Sequence, residues 1–303
     1  MVIFMKKNVL FLTICLSVTA VFAQEVCDTL YINMLDGNVA KYNVENIDSI
    51  TFTPHALETA PQQPDAPTEN LGAAICWIDD DFLVDAHDIY KRLHDWCIEK
   101  DIRLDFALIP PTWSPSTRMT TAKQYEEEGF TFVMHPSHDG WYDDSQYTHD
   151  IVKAKSKFIQ CMREFQNNIV SSRKQVLVWP GRSDHYQDSI DFVKNYVDCA
   201  FSATKIGTNT GNKIDRYSIK RFSLLIRNGY PKSKLKELIK EAVDRGDWII
   251  LYTHIYDYEN TDVVDETTNS FANLMEIVEY ANSLCPIRPV EAVWRERKEM
   301  YGF

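Results

Sequence analysis

After residue 23 this chain of 303 residues has no apolar run long enough to cross a membrane, which takes about 20 consecutive apolar residues. It has no Cys-x-x-Cys pair. Its seven cysteines stand at wide, irregular spacings, and Cys76, Cys97 and Cys199 lie in apolar patterns, so they read as buried thiols with an occasional bridge. Positive charge is scarce: 32 Lys and Arg against 44 Asp and Glu leave a net charge of -12. A surface of that sign repels nucleic acid and anionic lipid and leaves neutral sugars or small molecules as the natural partners. Internal repeats are absent, and apart from one proline-rich linker so are low-complexity runs.

What is present begins with a leader. Lys6 and Lys7, the apolar stretch Val9 to Val21 and the small-residue site Val21-Phe22-Ala23 read as a secretory signal over residues 1–23. Its removal takes away two lysines and no acid, giving an exported chain of net charge -14. The chain is therefore expected in the periplasm, at the cell surface or outside the cell. Residues 24–53 contain a small β module: Leu30 to Phe52 alternates apolar and polar residues around Asp36-Gly37-Asn38, the signature of a hairpin, with a further strand at Ser49 to Phe52. Residues 54–70, with Pro54, Pro61, Pro64 and Pro67, read as an extended linker. Residues 71–303 form one domain.

Strand and helix patterns alternate through that domain. Gly72 to Ile78 is a short apolar run, followed by a helical face of Ile89, Leu93, Trp96 and Cys97. Further strands are expected at Arg103 to Ile109, Phe130 to Met134, Gln175 to Trp179, Cys199 to Ser202, Ser218 to Ile226 and Trp248 to Thr253. Helices are expected at Thr121 to Glu128, Asp150 to Phe165, Ser189 to Tyr196, Lys232 to Val243 and Asn269 to Ser283. Roughly seven strands with intervening helices predict an α/β fold, a (β/α)7-type parallel barrel that is irregular or partly open.

The residues that follow the strands carry the chemistry. The first strand runs into Asp79, Asp80 and Asp81, the third into His135-Pro-Ser-His138, and the last into His254. Three adjacent carboxylates repel one another unless a cation sits among them. An acidic triplet alone is as well explained by a helix cap at Asp81 or Asp85, and one His-x-x-His alone by a polar loop. In a parallel barrel, however, all these strand ends face one way, so a carboxylate and two imidazoles can converge as ligands of a divalent metal, zinc first among them. His55, His87, His94, His149 and His185 read as surface residues.

The order of these elements from about Leu71 to Arg295 resembles the polysaccharide deacetylase superfamily, the NodB-homology or carbohydrate esterase family 4 group. That family opens on Thr-Phe-Asp-Asp-Gly at a strand end, matched here by Trp77-Ile78-Asp79-Asp80-Asp81. The resemblance implies Asp79 as catalytic base and Asp80 as a metal ligand, with His135 and His138 as the other ligands and His254 as the acid that protonates the leaving group. The family's two histidines stand four apart. Here they are three apart, so either His138 binds from a tighter loop or Asp139 replaces it, and imidazole favours His138. The third motif, Arg-x-Pro-Tyr, corresponds to Val178-Trp179-Pro180-Gly181, which lacks both its arginine and its tyrosine; Arg182 could substitute, and Trp179 could serve a sugar face. Trp113, Trp141, Tyr142 and Trp179 are the aromatics near strand ends, with Trp141, Trp179 and Arg182 the candidates for substrate contact. The implied reaction is metal-dependent hydrolysis of an N- or O-acetyl group on a carbohydrate. Two alternatives stand beside it: a catalytically silent carbohydrate-binding relative, and a glycoside hydrolase using paired carboxylates, for which the histidines have no role.

Overall fold

The computed structural model describes residues 71–110, 117–169, 176–226 and 230–303, together with four strands nearer the start of the chain. Two units separate, Met1–Gln63 and Pro64–Phe303. In the first, strands β1 (Val2–Ile3), β2 (Leu10–Thr13), β3 (Thr29–Met34) and β4 (Val39–Asn43) lie side by side in that order, all antiparallel. β3 and β4 pair with Leu30 opposite Tyr42 and Ile32 opposite Ala40, the hairpin that the alternation predicts. β1 and β2 fall within the segment read as a leader. The strand expected at Ser49 to Phe52 and the linker at 54–70 lie outside the described residues.

The second unit is a closed barrel of seven parallel strands: β5 (Ala74–Asp79), β6 (Asp105–Leu108), β7 (Thr131–Met134), β8 (Val176–Val178), β9 (Cys199–Ile206), β10 (Ile219–Ser223) and β11 (Trp248–Thr253). The barrel is not open. β11 returns to β5 over six paired residues, from Trp248 opposite Ala74 to Thr253 opposite Asp79. Helices α1 (Ile89–Lys100), α2 (Thr117–Glu127), α3 (Ile151–Asn168), α4 (Gln187–Val193), α5 (Lys232–Asp244) and α6 (Phe271–Leu284) connect successive strands or follow the last, and no helix joins β9 to β10.

Strand alternation sorts the core into two layers. On β5, Ala74, Cys76 and Ile78 point into the barrel with Ala107, Val133, Val176, Val178, Phe201 and Ile250. Ile75 and Trp77 point outward into the layer shared with the helices, among Leu93, Phe106 and Leu251. Cys76, Cys97, Cys161 and Cys199 are buried free thiols and Cys285 is a half-buried one, so no bridge forms among the described residues.

A seventh helix, α7 (Val290–Tyr301), was not expected from the sequence. Its apolar positions Val290, Val293 and Trp294, with Tyr301 one turn beyond Arg297, follow helical spacing just after Pro289, which suits a helix start. It closes one mouth of the barrel: Trp294 stacks on Trp248 with ring centroids 6.4 Å apart, and Val290 and Val293 join the inner layer. Its first N–H is met by Asp105, whose Oδ2 accepts from the Val290 N–H at 2.8 Å while Oδ1 accepts from the Thr131 hydroxyl.

Asp105 is 1% exposed. Burial pushes its carboxyl up to about 7, against the lowering effect of the Thr131 and Val290 hydrogen bonds. An unfolded aspartate titrates near 3.9, so between roughly pH 4 and 7 the folded chain keeps a proton that the unfolded chain has lost, and stability falls as pH rises through that window. Asp105→Asn has no proton to lose. Denaturant melts should show the variant gaining on the parent as pH is raised from about 5 to about 8; a difference independent of pH would contradict this reading.

Candidate metal centre and active site

The three acids at the end of β5 have three different environments, and strand alternation is the cause. Asp79 continues the outward face of Ile75 and Trp77, so its side chain enters the helix layer rather than the barrel mouth. It is fully buried, and its Oδ1 accepts from the Thr253 hydroxyl and the Ile255 N–H, each at 2.7 Å. Burial drives its pKa far up, with the charge of Asp80 adding to the effect, so the environment of Asp79 disfavours its charged form. Its hydrogen bonds pin the backbone on both sides of His254.

Asp80 faces the other way and meets Arg221 of β10. The guanidinium donates from Nη1 to Oδ1 at 2.6 Å and from Nη2 to Oδ2 at 2.9 Å, a bidentate pair with Arg221 fully buried and Asp80 3% exposed. Arg221 Nε donates to the Ser202 carbonyl at 2.7 Å, and the guanidinium lies 4.5 Å from the centre of the Tyr252 ring.

Asp81 follows with φ 74 and Phe82 with φ 46, two side-chain-bearing residues in the left-handed region. The turn aims the Asp81 carboxylate at the histidine loop. Its Oδ1 lies 3.2 Å from His135 Nε2, and its Oδ2 accepts from the Tyr256 hydroxyl at 2.6 Å. Burial acts to raise its pKa. The hydrogen bond and charge of His135, the charge of His254 and the Tyr256 hydroxyl outweigh burial and hold it well below the usual carboxylate range.

His135 Nδ1–H donates to the Val178 carbonyl at 3.2 Å, which leaves Nε2 toward Asp81. Desolvation, with the charge of His135, lowers His138 to about 4, so its imidazole is neutral at ordinary pH. Donor atoms of Asp81, His135 and His138 all lie within 4.8 Å of one another, the one such group among the described residues. The set fits a divalent metal of the zinc class: two imidazoles and a carboxylate, with His135 Nε2 and Asp81 Oδ1 3.2 Å apart. His254 stands across from this group, 30% exposed at its side chain, with Nε2 3.9 Å from both Asp80 Oδ2 and Asp81 Oδ2 and Nδ1 3.7 Å from Asp257 Oδ2.

The geometry therefore gathers His135, His138, His254 and Asp80 in one mouth, but it sets Asp81, and not Asp80, among the metal-capable donors, and it turns Asp79 away. With the motif moved by one residue, Phe82 takes the place of its glycine, in keeping with its left-handed φ of 46. Asp139 does not compete with His138, since it pairs with Lys153 at 3.3 Å and Lys157 at 3.8 Å. Trp141 and Trp179 have no exposed surface: they pack edge to face at 5.8 Å, and Trp179 Nε1 donates to the Tyr217 carbonyl at 2.7 Å. They are core residues rather than sugar platforms. Arg182 is exposed on the turn after β8, and Trp113 and His55 lie outside the described residues. His87 and His185 are exposed; His94 and His149 are half-buried against Tyr125 and Tyr186, and none of the four joins the cluster. Sequence reasoning missed Asp81, Arg221 and Tyr256. The alternation of β5, extended two residues past Ile78, turns Asp80 inward and Asp79 outward, but carries no sign of the left-handed turn that redirects Asp81.

No protein-family model matches the chain, and no curated protein matches it. Solved structures similar to it include the Bc1960 peptidoglycan N-acetylglucosamine deacetylase, at 9% identity and a TM-score of 0.46, covering 78% of this chain and 91% of that one. A family 4 acetyl xylan esterase from Clostridium thermocellum, in complex with a cobalt ion, is 11% identical with a TM-score of 0.46, covering 74% and 91%. A CE4 family pseudoenzyme from Bacillus anthracis is 8% identical with a TM-score of 0.42, covering 74% and 66%.

Removing the guanidinium from a buried pair leaves an uncompensated carboxylate, which costs about 3–5 kcal/mol. Arg221→Met should destabilise by that order, and Asp80→Asn introduced into it should restore a large part of the loss. Additive losses in a double-mutant cycle, measured by denaturant unfolding, would show that the two side chains do not act as a pair.

Proposed function

We propose that this protein is a metal-dependent deacetylase that hydrolyses N- or O-acetyl groups on a carbohydrate, with Asp81, His135 and His138 holding the metal, Asp80 as base and His254 as acid. The observation that carries the proposal is the convergence of three metal-capable donors within 4.8 Å of one another, beside a separate carboxylate that is braced by Arg221. A divalent metal bound there, zinc being the natural choice for this donor set, would polarise the acetyl carbonyl and lower the pKa of water.

The residues of the chain do the rest. Asp80 takes the proton of the attacking water, and the fork of Arg221 fixes the carboxylate so that little reorganisation accompanies the transfer. His254 delivers a proton to the departing amine or alcohol, with Asp257 Oδ2 3.7 Å from Nδ1 on the far side of its ring. Asp79 serves as a clamp on the backbone that carries His254 and takes no part in proton transfer. The carbohydrate half of the proposal is supported by the motif resemblance and by an acidic chain that disfavours polyanionic partners. Export through the leader at 1–23 belongs to the same reading.

The silent carbohydrate-binding relative draws support from one feature, the Val178 and Gly181 that stand where the motif has arginine and tyrosine. Arg221 weakens that support, since it gives Asp80 a guanidinium from a different strand. Acetate release from acetylated chitooligosaccharides and acetylated xylan separates the two readings. Asp80→Asn should lower kcat by at least about 1,000-fold with metal retained, Asp81→Asn should lose both, and His254→Ala should be impaired most on the amide substrate, where the leaving group is poorest. Asp79→Asn should keep most of its activity while melting earlier. An inactive Asp79→Asn that still binds metal, beside an active Asp80→Asn, would return the base to Asp79; no acetate release by the parent on any substrate would favour the silent relative.

A further inference from the structure

Gly181 has φ 54, and a Cβ placed there would lie 2.4 Å from Tyr142 Cε1 and 2.5 Å from its Cζ. Real Cβ atoms do not approach so closely, so the space a side chain at 181 would fill is taken by the Tyr142 ring, which enters from the loop between β7 and α3. The ring is 7% exposed. Its hydroxyl lies 3.2 Å from His138 Nδ1, and the two rings meet edge to face at 5.9 Å, with Tyr147 edge to face on the same imidazole at 5.7 Å.

We infer that Tyr142 is a positioning residue for the metal centre, and that Gly181 is small so that the Tyr142 hydroxyl can fix the ring orientation and tautomer of His138. This deepens the proposed metal centre and rests on it. With Nδ1–H donating to the phenol oxygen, Nε2 keeps its lone pair and is left as the nitrogen able to bind a metal, the role that outer hydrogen bonds play for histidine ligands. The residue missing from the third motif is thereby compensated from another strand end: the side chain absent at 181 makes room for one supplied by 142.

Tyr142→Phe keeps the ring and removes only the hydroxyl. Zinc affinity, measured by chelator competition, should weaken roughly 10- to 100-fold relative to the parent. In metal-free protein, ¹⁵N correlation spectra should show His138 changing from one tautomer to a mixture. Gly181→Ala should weaken zinc binding by displacing the same ring, with the Tyr142→Phe result standing if that variant fails to fold. Parent-like zinc affinity together with an unchanged His138 tautomer in Tyr142→Phe would overturn the inference. A parent that binds no zinc would count against the proposed function, while the tautomer measurement on metal-free protein would still decide the role of Tyr142.

Discussion

The bidentate pair between Asp80 and Arg221 is the constraint on which the mouth of the barrel depends. Two opposite charges this deep are tolerable only because each is satisfied: both carboxylate oxygens by the fork, the remaining Nε–H by the Ser202 carbonyl, and the guanidinium face by Tyr252. The pair joins β5, β9, β10 and β11, the strands across which the barrel closes. It also decides what the neighbouring acids can be. With Asp80 committed to Arg221, the carboxylate beside the histidines is that of the next residue, brought there where the chain turns left-handed at Asp81 and Phe82.

Three consecutive aspartates thus meet three different surroundings. Asp79 is buried among Thr253, Ile255 and Tyr90 with its pKa driven up; Asp80 is paired; Asp81 lies beside two histidines with its pKa held down. Neighbouring carboxyls whose environments push their pKa values apart are the usual source of distinct acid and base assignments. The same economy shows at β8, where the Val178 carbonyl orients His135 and the bare Gly181 admits Tyr142, so this strand end acts through backbone and vacancy rather than through side chains.

Much of this was legible in the sequence. The seven strands, the parallel order and the placing of His135, His138 and His254 at strand ends follow from apolar runs and what succeeds them, and those signals are local. The surroundings of each aspartate were not, because they depend on which face of the strand the acid occupies, and a shift of one residue inverts that face. Continuing the inward set Ala74, Cys76 and Ile78 places Asp80 inward and Asp79 outward. Arg221 was hidden for a different reason: a lone arginine in a strand pattern reads as solvent-facing until a carboxylate 141 positions away is known to face it. Trp141 and Trp179 sit near strand ends as sugar-stacking residues would, but proximity in sequence says nothing of exposure, and both point into the core. The helix α7 escaped because its apolar positions are interleaved with charges such as Arg295 and Arg297, the second of which is itself buried against Trp248.

The central claim, that Asp81 and not Asp80 joins the two histidines around a metal, is tested most directly by a crystal structure of the zinc-loaded protein with anomalous data collected at the zinc edge. The account predicts one peak within about 2.0–2.2 Å of Asp81, His135 and His138, with both oxygens of Asp80 still held by Arg221. A peak ligated by Asp80, with Arg221 released from it, would contradict the account.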